Sequence, residues 1–217
     1  AIVCIIIFCF SLTPRTLQND TYYTIKIGEL ITNNGIDMKD HFSWHEDLPY
    51  TYPHWAYDTG MYLVYHLGEI SGLPDGGMLF VYLSTVVLTS ILGISLYYTS
   101  QKLTKNKLVS LVISMACMYL LRDYIAARAQ LVTFILFVLT ILCIESFLET
   151  KKKRYLIAII AISIAIANIH VAVWPFFFVL FLPYIAEYII AAIAEKNLLQ
   201  RFIAFNKKDV VKTLEKK

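Results

Sequence analysis

The sequence predicts an all-α fold, a polytopic transmembrane helix bundle with about six crossings, the first truncated, and amphipathic surface helices in a long first outer loop. Three observations predict it. Hydrophobic residues make up 58% of the 217 positions and charged residues 16%, whereas a soluble domain is about half apolar and about a quarter charged; mean hydropathy is +0.62. The apolar residues fall in separate runs divided by short polar segments. Lysine and arginine collect in alternate segments, as they do when a chain crosses a bilayer repeatedly. This composition excludes a water-soluble globular domain and a disordered chain. A net charge of +3 excludes a nucleic-acid binder built on a basic surface.

The first run, AIVCIIIFCFSL, has 12 residues, short of the roughly 20 that a spanning helix needs. It lacks the basic stretch that precedes a signal-peptide core. It reads as the C-terminal half of a first transmembrane helix, in a chain that reads as a fragment of a longer protein. Gly77–Thr99 and Val171–Ile193 are long enough to cross a bilayer, and Gln130–Leu148 nearly so. Leu108–Leu121 and Tyr155–Ala167, at 14 and 13 residues, become spans when their flanks are included. Residues 1–195 thus form the transmembrane module, and 196–217 a basic cytoplasmic segment that continues in a longer chain. Cys4, Cys9, Cys117 and Cys143 all lie in apolar runs without paired spacing and read as small buried hydrophobes.

Charge placement orients the bundle. Lys102, Lys105 and Lys107 occupy the segment 100–107, and Lys151, Lys152, Lys153 and Arg154 the segment 149–154. The tail 195–217 carries seven Lys/Arg and three Asp/Glu. Segment 13–76 holds three basic residues against nine acids, a balance of −6. The positive-inside rule places the three Lys/Arg-rich segments in the cytoplasm. Segment 13–76 and the turns at 122–128 and 168–170 then face outside.

Within the outer segment, 19–34 (NDTYYTIKIGELITNN) has Tyr22, Ile25, Ile27, Leu30 and Ile31 near helical spacing, with Asn19 or Asp20 as N-cap and Gly35 as the stop. A second amphipathic helix is expected at 54–71, with Trp55, Tyr57, Tyr62 and Tyr65 in the style of a membrane interface. The loop between them, HFSWHEDLPYTYPHW, is polar and aromatic.

Several residues carry chemistry as well as structure. Asp20 is either a helix cap or a carboxylate at the depth of a lipid head group. Arg122 and Arg128 flank an outer turn and either snorkel to head groups or bind a phosphate through paired guanidinium contacts. His170 lies in the apolar run ANIHVAVW, where a polar group is costly; it either satisfies a tight turn together with Asn168 or serves a site. His41 and His45, four apart beside Glu46 and Asp47, invite a metal reading, but no HExxH pattern is present. Oxygen ligands to Mg²⁺ or Mn²⁺ suit the acids better than a zinc site suits the histidines.

In chain order, an Asp-initiated amphipathic helix ends near Asn34-Gly35 and is followed by a loop containing Asp, Phe and Ser. His54-Trp55 then opens a second surface helix, Arg128-Ala129-Gln130 opens a span, and Asn168-Ile169-His170 closes another. From about residue 1 to about residue 195 this resembles the N-terminal half of bacterial GT-C-type integral membrane glycosyltransferases, whose relatives include protein O-mannosyltransferases, aminoarabinose transferases and the catalytic subunit of oligosaccharyltransferase. The resemblance implies transfer of a sugar from a polyprenyl-phosphate donor on the outer face of the bacterial plasma membrane, in the cell envelope. It implies that Asp20 is the catalytic or metal-binding carboxylate. Many members carry two adjacent acids at that point; here Asn19 and Thr21 flank Asp20, so Glu46, Asp47 or Asp58 would supply a second. Arg122, Arg128, His54, Asp58 and His170 are the expected substrate-binding residues. The implied partners are a lipid-linked sugar and membrane lipids, with no nucleic acid. Two other classes stay open: a transporter or flippase-like bundle, which calls for inverted repeats and Gly/Pro-broken helices, and a non-catalytic subunit of envelope assembly. The sugar, the acceptor and the oligomeric state are not legible in the residues.

Overall fold

A computed structural model describes residues 1–45 and 48–195; Glu46, Asp47 and the expected cytoplasmic segment 196–217 lie outside the described residues. The described chain is helical, with one isolated antiparallel bridge between Lys39 and Pro49. It divides into two compact units, Ala1–Pro175 and the residues from Phe176 on.

In the first unit, α1 (Ile2–Leu12) is followed by α2 (Asn19–Asn34), α3 (Trp55–Ile70), α4 (Gly76–Thr104), α5 (Lys107–Leu120), α6 (Ala129–Thr150) and α7 (Arg154–Ile169). Helix α4 is the hub, packing against α1, α3, α5 and α6. Its two faces reverse the pattern of a soluble helix. Thr85, Thr89, Ser95 and Thr99 are buried, while Leu79, Leu83, Val87 and Ile91, spaced four apart, are exposed. The buried hydroxyls cost nothing in unmet hydrogen bonds where they donate back to their own helix, Thr85 to the Val81 carbonyl at 2.8 Å and Thr89 to the Thr85 carbonyl at 2.7 Å. Small polar residues inside and large aliphatics outside suit a bundle whose solvent is lipid. Helix α5 repeats the arrangement, burying Ser110, Ser114 and Met118 and exposing Leu108 and Val112. On α7 the exposed stripe is Ile157, Ile160 and Ile164.

Among the described residues three stretches are long and apolar enough to cross a membrane: α4, α6 and Val171–Ala192. Helices α1, α5 and α7 are apolar but short, with 11, 14 and 16 residues; at about 1.5 Å per residue each reaches less than the ~30 Å of a hydrocarbon core. The run expected as one span over Val171–Ile193 is interrupted. A 3₁₀ turn at Val171–Val173 leads into α8 (Trp174–Val179), and a turn at 180–181 separates it from α9 (Leu182–Glu195). Pro183 explains the break: it has no N–H to give to Val179, and its ring crowds that carbonyl, so α8 ends there and α9 restarts with proline in its first turn.

The Lys-rich helix ends follow one pattern. α4 and α6 both stop at a lysine in the left-handed conformation, Lys105 (φ 55°) and Lys151 (φ 54°), where positive charge meets the negative end of the helix dipole. An ion pair between Lys102 and Glu149 ties these two ends together.

The two surface helices of the first unit form over 19–34 and 55–70, close to the ranges expected, and bury Ile25 and Ile27 of the expected face but not every residue as expected. On α2 the buried residues are Thr21, Ile25, Ile27 and Gly28, and Tyr22 is exposed. On α3 Tyr57 is a core residue, 7% exposed, and not an interfacial aromatic. The neighbour decides these faces: α2 lies against α3, closely enough that a Cβ on Gly28 would sit 2.1 Å from the Asp58 carbonyl oxygen. Gly68 and Gly76 make a similar approach where α3 turns into α4, a Cβ on Gly68 falling 2.1 Å from the Gly76 carbonyl oxygen. Replacing Gly28 by alanine therefore forces the α2–α3 pair apart. We expect a loss of about 1–3 kcal/mol, the usual cost of overpacking, read as a lower unfolding temperature in detergent. An unchanged unfolding temperature would mean that the two helices do not meet there.

Candidate functional site

The N-terminal end of α2, the loop before α3, the turn before α6 and the turn after α7 converge on one cavity of about 420 Å³, lined by Asp20, Tyr23, Thr24, Ile27, Tyr50, His54, Asp58, Arg128, Ala129, Gln130 and His170. Local chemistry brings these segments together. The Thr21 hydroxyl donates to the Ala127 carbonyl at 3.3 Å and anchors the start of α2 to the 125–129 turn. The Val171 N–H donates to the Pro53 carbonyl at 3.3 Å, and the Trp55 indole N–H to Asn168 Oδ1 at 3.2 Å, fastening the loop before α3 to the turn after α7. Asn168 in turn donates to the Ile164 carbonyl at 2.8 Å, so it closes its helix and receives Trp55 at once.

The described part of the loop between α2 and α3 is organised around Tyr52, which is 2% exposed. Its hydroxyl donates to Asp37 Oδ1 and to the Lys39 carbonyl, both at 3.0 Å. Asp40 accepts the Phe42 and Ser43 N–H groups at 2.8 and 3.2 Å, a side-chain turn that this residue type favours. Tyr23 of α2 packs its ring 4.9 Å from Phe42.

Five of the residues expected from the sequence meet in this cavity: Asp20, His54, Asp58, Arg128 and His170. Asp20 is not a helix cap. Gln18 holds that position without a side-chain hydrogen bond, and Asp20 lies in the first turn, where its carboxylate pairs with the Arg128 guanidinium. Arg122 does not join Arg128 among the lining residues. It lies over the Tyr119 ring, 4.3 Å from its centroid, and 3.5 Å from Asp123. The expected guanidinium pair is thus a single guanidinium, and Asp20 holds it.

Asp58 stands at the opposite extreme of solvation. It is 2% exposed, Thr24 hydrogen-bonds to its carboxylate, and its Oδ1 has no partner. Burial pushes its carboxyl up to about 7, with Thr24 working against that rise. The His54 and His170 rings meet edge to face at 4.7 Å. Burial, then His54, then Arg128 push His170 down to about 4, and burial lowers His54. His170 Nδ1 lies 3.3 Å from the Thr133 hydroxyl. Burial and a hydrogen bond with Tyr23 hold the Tyr50 phenol above its usual range. The cavity therefore combines one solvated ion pair, one carboxyl that titrates near neutrality, and two imidazoles biased toward the neutral form.

Among the described residues no three His, Cys, Asp or Glu side chains are grouped to hold a metal ion. His41 bonds to Asp37 at 2.6 Å and not to His45, whose ring lies 4.0 Å from Trp44. For Mg²⁺ or Mn²⁺, Asp20 is poorly disposed, because the guanidinium beside it occupies the place a cation would take and repels it. Glu46 and Asp47, the other expected ligands, are outside the described residues.

Sequence reading did not single out Thr24, Tyr23 or Tyr50. For α2 a signal existed: positions 20, 24 and 27 follow the i, i+4, i+7 spacing of one helix face, so an interest in Asp20 extends to Thr24 and Ile27. Tyr50 had no such signal, because a loop carries no period. No family model, curated protein or solved structure matches the chain.

Proposed function

We propose that the protein is a membrane glycosyltransferase that moves a sugar from a polyprenyl-phosphate donor to an acceptor hydroxyl on the outer face of a bacterial plasma membrane. One observation carries the reading: a guanidinium, Arg128, is held by a carboxylate at a cavity that also contains a second, buried carboxyl. Glycosyl transfer needs positive charge where the phosphate departs and a group to take the acceptor's proton. Arg128 supplies the charge, and its planar fork suits phosphate oxygens. Asp20 fixes its direction. Tyr23, Tyr50, His54 and His170 supply the flat and hydrogen-bonding surfaces against which a sugar is oriented.

In this reading the chain makes six crossings, with α1, α5 and α7 completed by their flanks, and α2 and α3 rest over the outer mouth of the bundle. Single cysteines on a cysteine-free background test the sidedness. An impermeant maleimide should label Ser43→Cys in intact cells and Asn106→Cys only after permeabilisation; labelling of Asn106→Cys in intact cells would reverse the topology.

The transporter reading gains one observation, the interruption of the 171–192 apolar run at 180–181. That break lies outside the residues that line the cavity. The direct assay is sugar transfer from polyprenyl-phosphate hexoses and pentoses by the protein in liposomes. Label retained on the lipid across the whole panel would end the transferase reading.

A further inference from the structure

The proton acceptors in the cavity differ in what already occupies them. The Asp20 carboxylate is engaged by Arg128. His170 is engaged at Nδ1 with Thr133 and lies edge to face against His54. Asp58 alone among these combines near-complete burial with a carboxylate oxygen that has no partner, and it lines the same cavity as Arg128. A buried, unmet acceptor is costly unless something fills it, and the cavity is where a donor would arrive. A reacting hydroxyl is such a donor.

We propose that Asp58, and not Asp20, takes the proton of the acceptor hydroxyl, while Asp20 serves to hold Arg128 against the departing phosphate. This rests on the glycosyl-transfer reading. In the step, the acceptor oxygen forms a bond to the anomeric carbon as its proton passes to Asp58. The bond from that carbon to the phosphate oxygen breaks, and its electron pair leaves with the polyprenyl phosphate beside Arg128. No metal, oxidant or further reactant enters the balance.

The surroundings of Asp58 agree with this role. Thr24 of α2 hydrogen-bonds to it, and the cavity it lines is bordered by Asp20 and Tyr23 from α2, Tyr50 and His54 from the preceding loop, Arg128 from the turn before α6 and His170 from the end of α7. Tyr57, its neighbour on α3, is buried with a hydroxyl that also has no partner. No charged side chain of α4 lines the cavity. A base works best when its own titration falls near the working pH. Burial places Asp58 there, whereas His170 is held too low to accept a proton well.

The test is the pH profile of kcat/KM for transfer from the polyprenyl-phosphate sugar panel in liposomes. The wild type should lose activity on acidification through an apparent pKa near 7. Asp58→Asn should lower kcat roughly 100-fold or more, with donor KM changed less than about threefold. Thr24→Val removes the hydrogen bond that favours the carboxylate, so the acid limb should move upward while transfer persists. Asp58→Asn activity within about tenfold of wild type with the limb unmoved, or a limb that shifts only with Asp20 variants, would overturn the assignment. If Asp58→Asn fails to fold, an unmoved limb in Thr24→Val overturns it alone. Absence of transfer by the wild type from every donor removes the glycosyl-transfer reading and this assignment together.

Discussion

Under the proposed function, Asp20→Asn should reduce sugar transfer roughly 100-fold or more in kcat while leaving the protein folded. The two halves of this expectation have different origins. The Asp20–Arg128 pair is partly solvated, with side chains 57% and 42% exposed, and pairs of that kind contribute about 0–1 kcal/mol to stability. Losing a carboxylate in the first turn of α2 removes a further dipole interaction of about 0.3–1 kcal/mol. Unfolding in detergent should therefore shift only slightly. Under the proposed glycosyl transfer, catalysis is more sensitive because the phosphate gains charge as the glycosidic bond breaks, so a guanidinium aimed at it acts more strongly on the transition state than on the bound donor. Without its carboxylate partner Arg128 is free to turn to solvent. The defect should appear in kcat more than in donor KM, and Arg128→Ala should reproduce it, with the double variant little worse than either single one. Full activity in Asp20→Asn would leave the pair a purely structural tie between α2 and the start of α6.

Asp58→Asn should raise the unfolding temperature at pH 8 and leave it nearly unchanged at pH 4. In the folded protein the Asp58 carboxyl is raised from 3.8 to about 7 by burial. Between those values the native state holds a proton that the unfolded chain has released. Stability from this group is thus complete below about pH 4, falls as pH rises, and levels off above about pH 7. A rise of this size corresponds to about 4 kcal/mol at most. Asparagine never ionises, so the variant should lose the slope and gain stability on the alkaline side. Parallel wild-type and variant curves from pH 4 to pH 8 would show that Asp58 is solvated. A residue that destabilises its protein at neutral pH while lining a cavity fits a group retained for chemistry.

The helices were largely legible because their causes are local. Runs such as 130–148 contain little besides apolar residues, and the backbone in such a run satisfies itself only as a helix. Gly35 ends α2 in the left-handed region (φ 79°) that glycine adopts freely, and Asn106 caps α5 by accepting the Leu108 and Val109 N–H groups; both are short-range effects. The break at 180–181 was also written locally, in Pro183, but the hydrophobicity of the run concealed it. The buried faces were not legible. Tyr22 and Tyr57 are both aromatic residues on amphipathic helices, and only the packing of α2 on α3 through Gly28 decides that the first is exposed and the second buried.

The site divides in the same way. Residue chemistry alone singled out Asp20, Arg128 and His170, because charged and imidazole side chains beside apolar runs are costly and stand out in so hydrophobic a sequence; His54 and Asp58 were expected only through the family resemblance. It could not say that Asp20 meets Arg128 while Arg122 turns to Tyr119 and Asp123, since both arginines flank the same turn and differ only in where the backbone aims them. Nor could it distinguish Asp20 from Asp58, two aspartates on neighbouring amphipathic helices. Tertiary packing leaves one beside a guanidinium in partial contact with water and encloses the other with an oxygen unmet. A carboxylate's behaviour depends on its solvation and its partner, and both are set by segments far away in the chain.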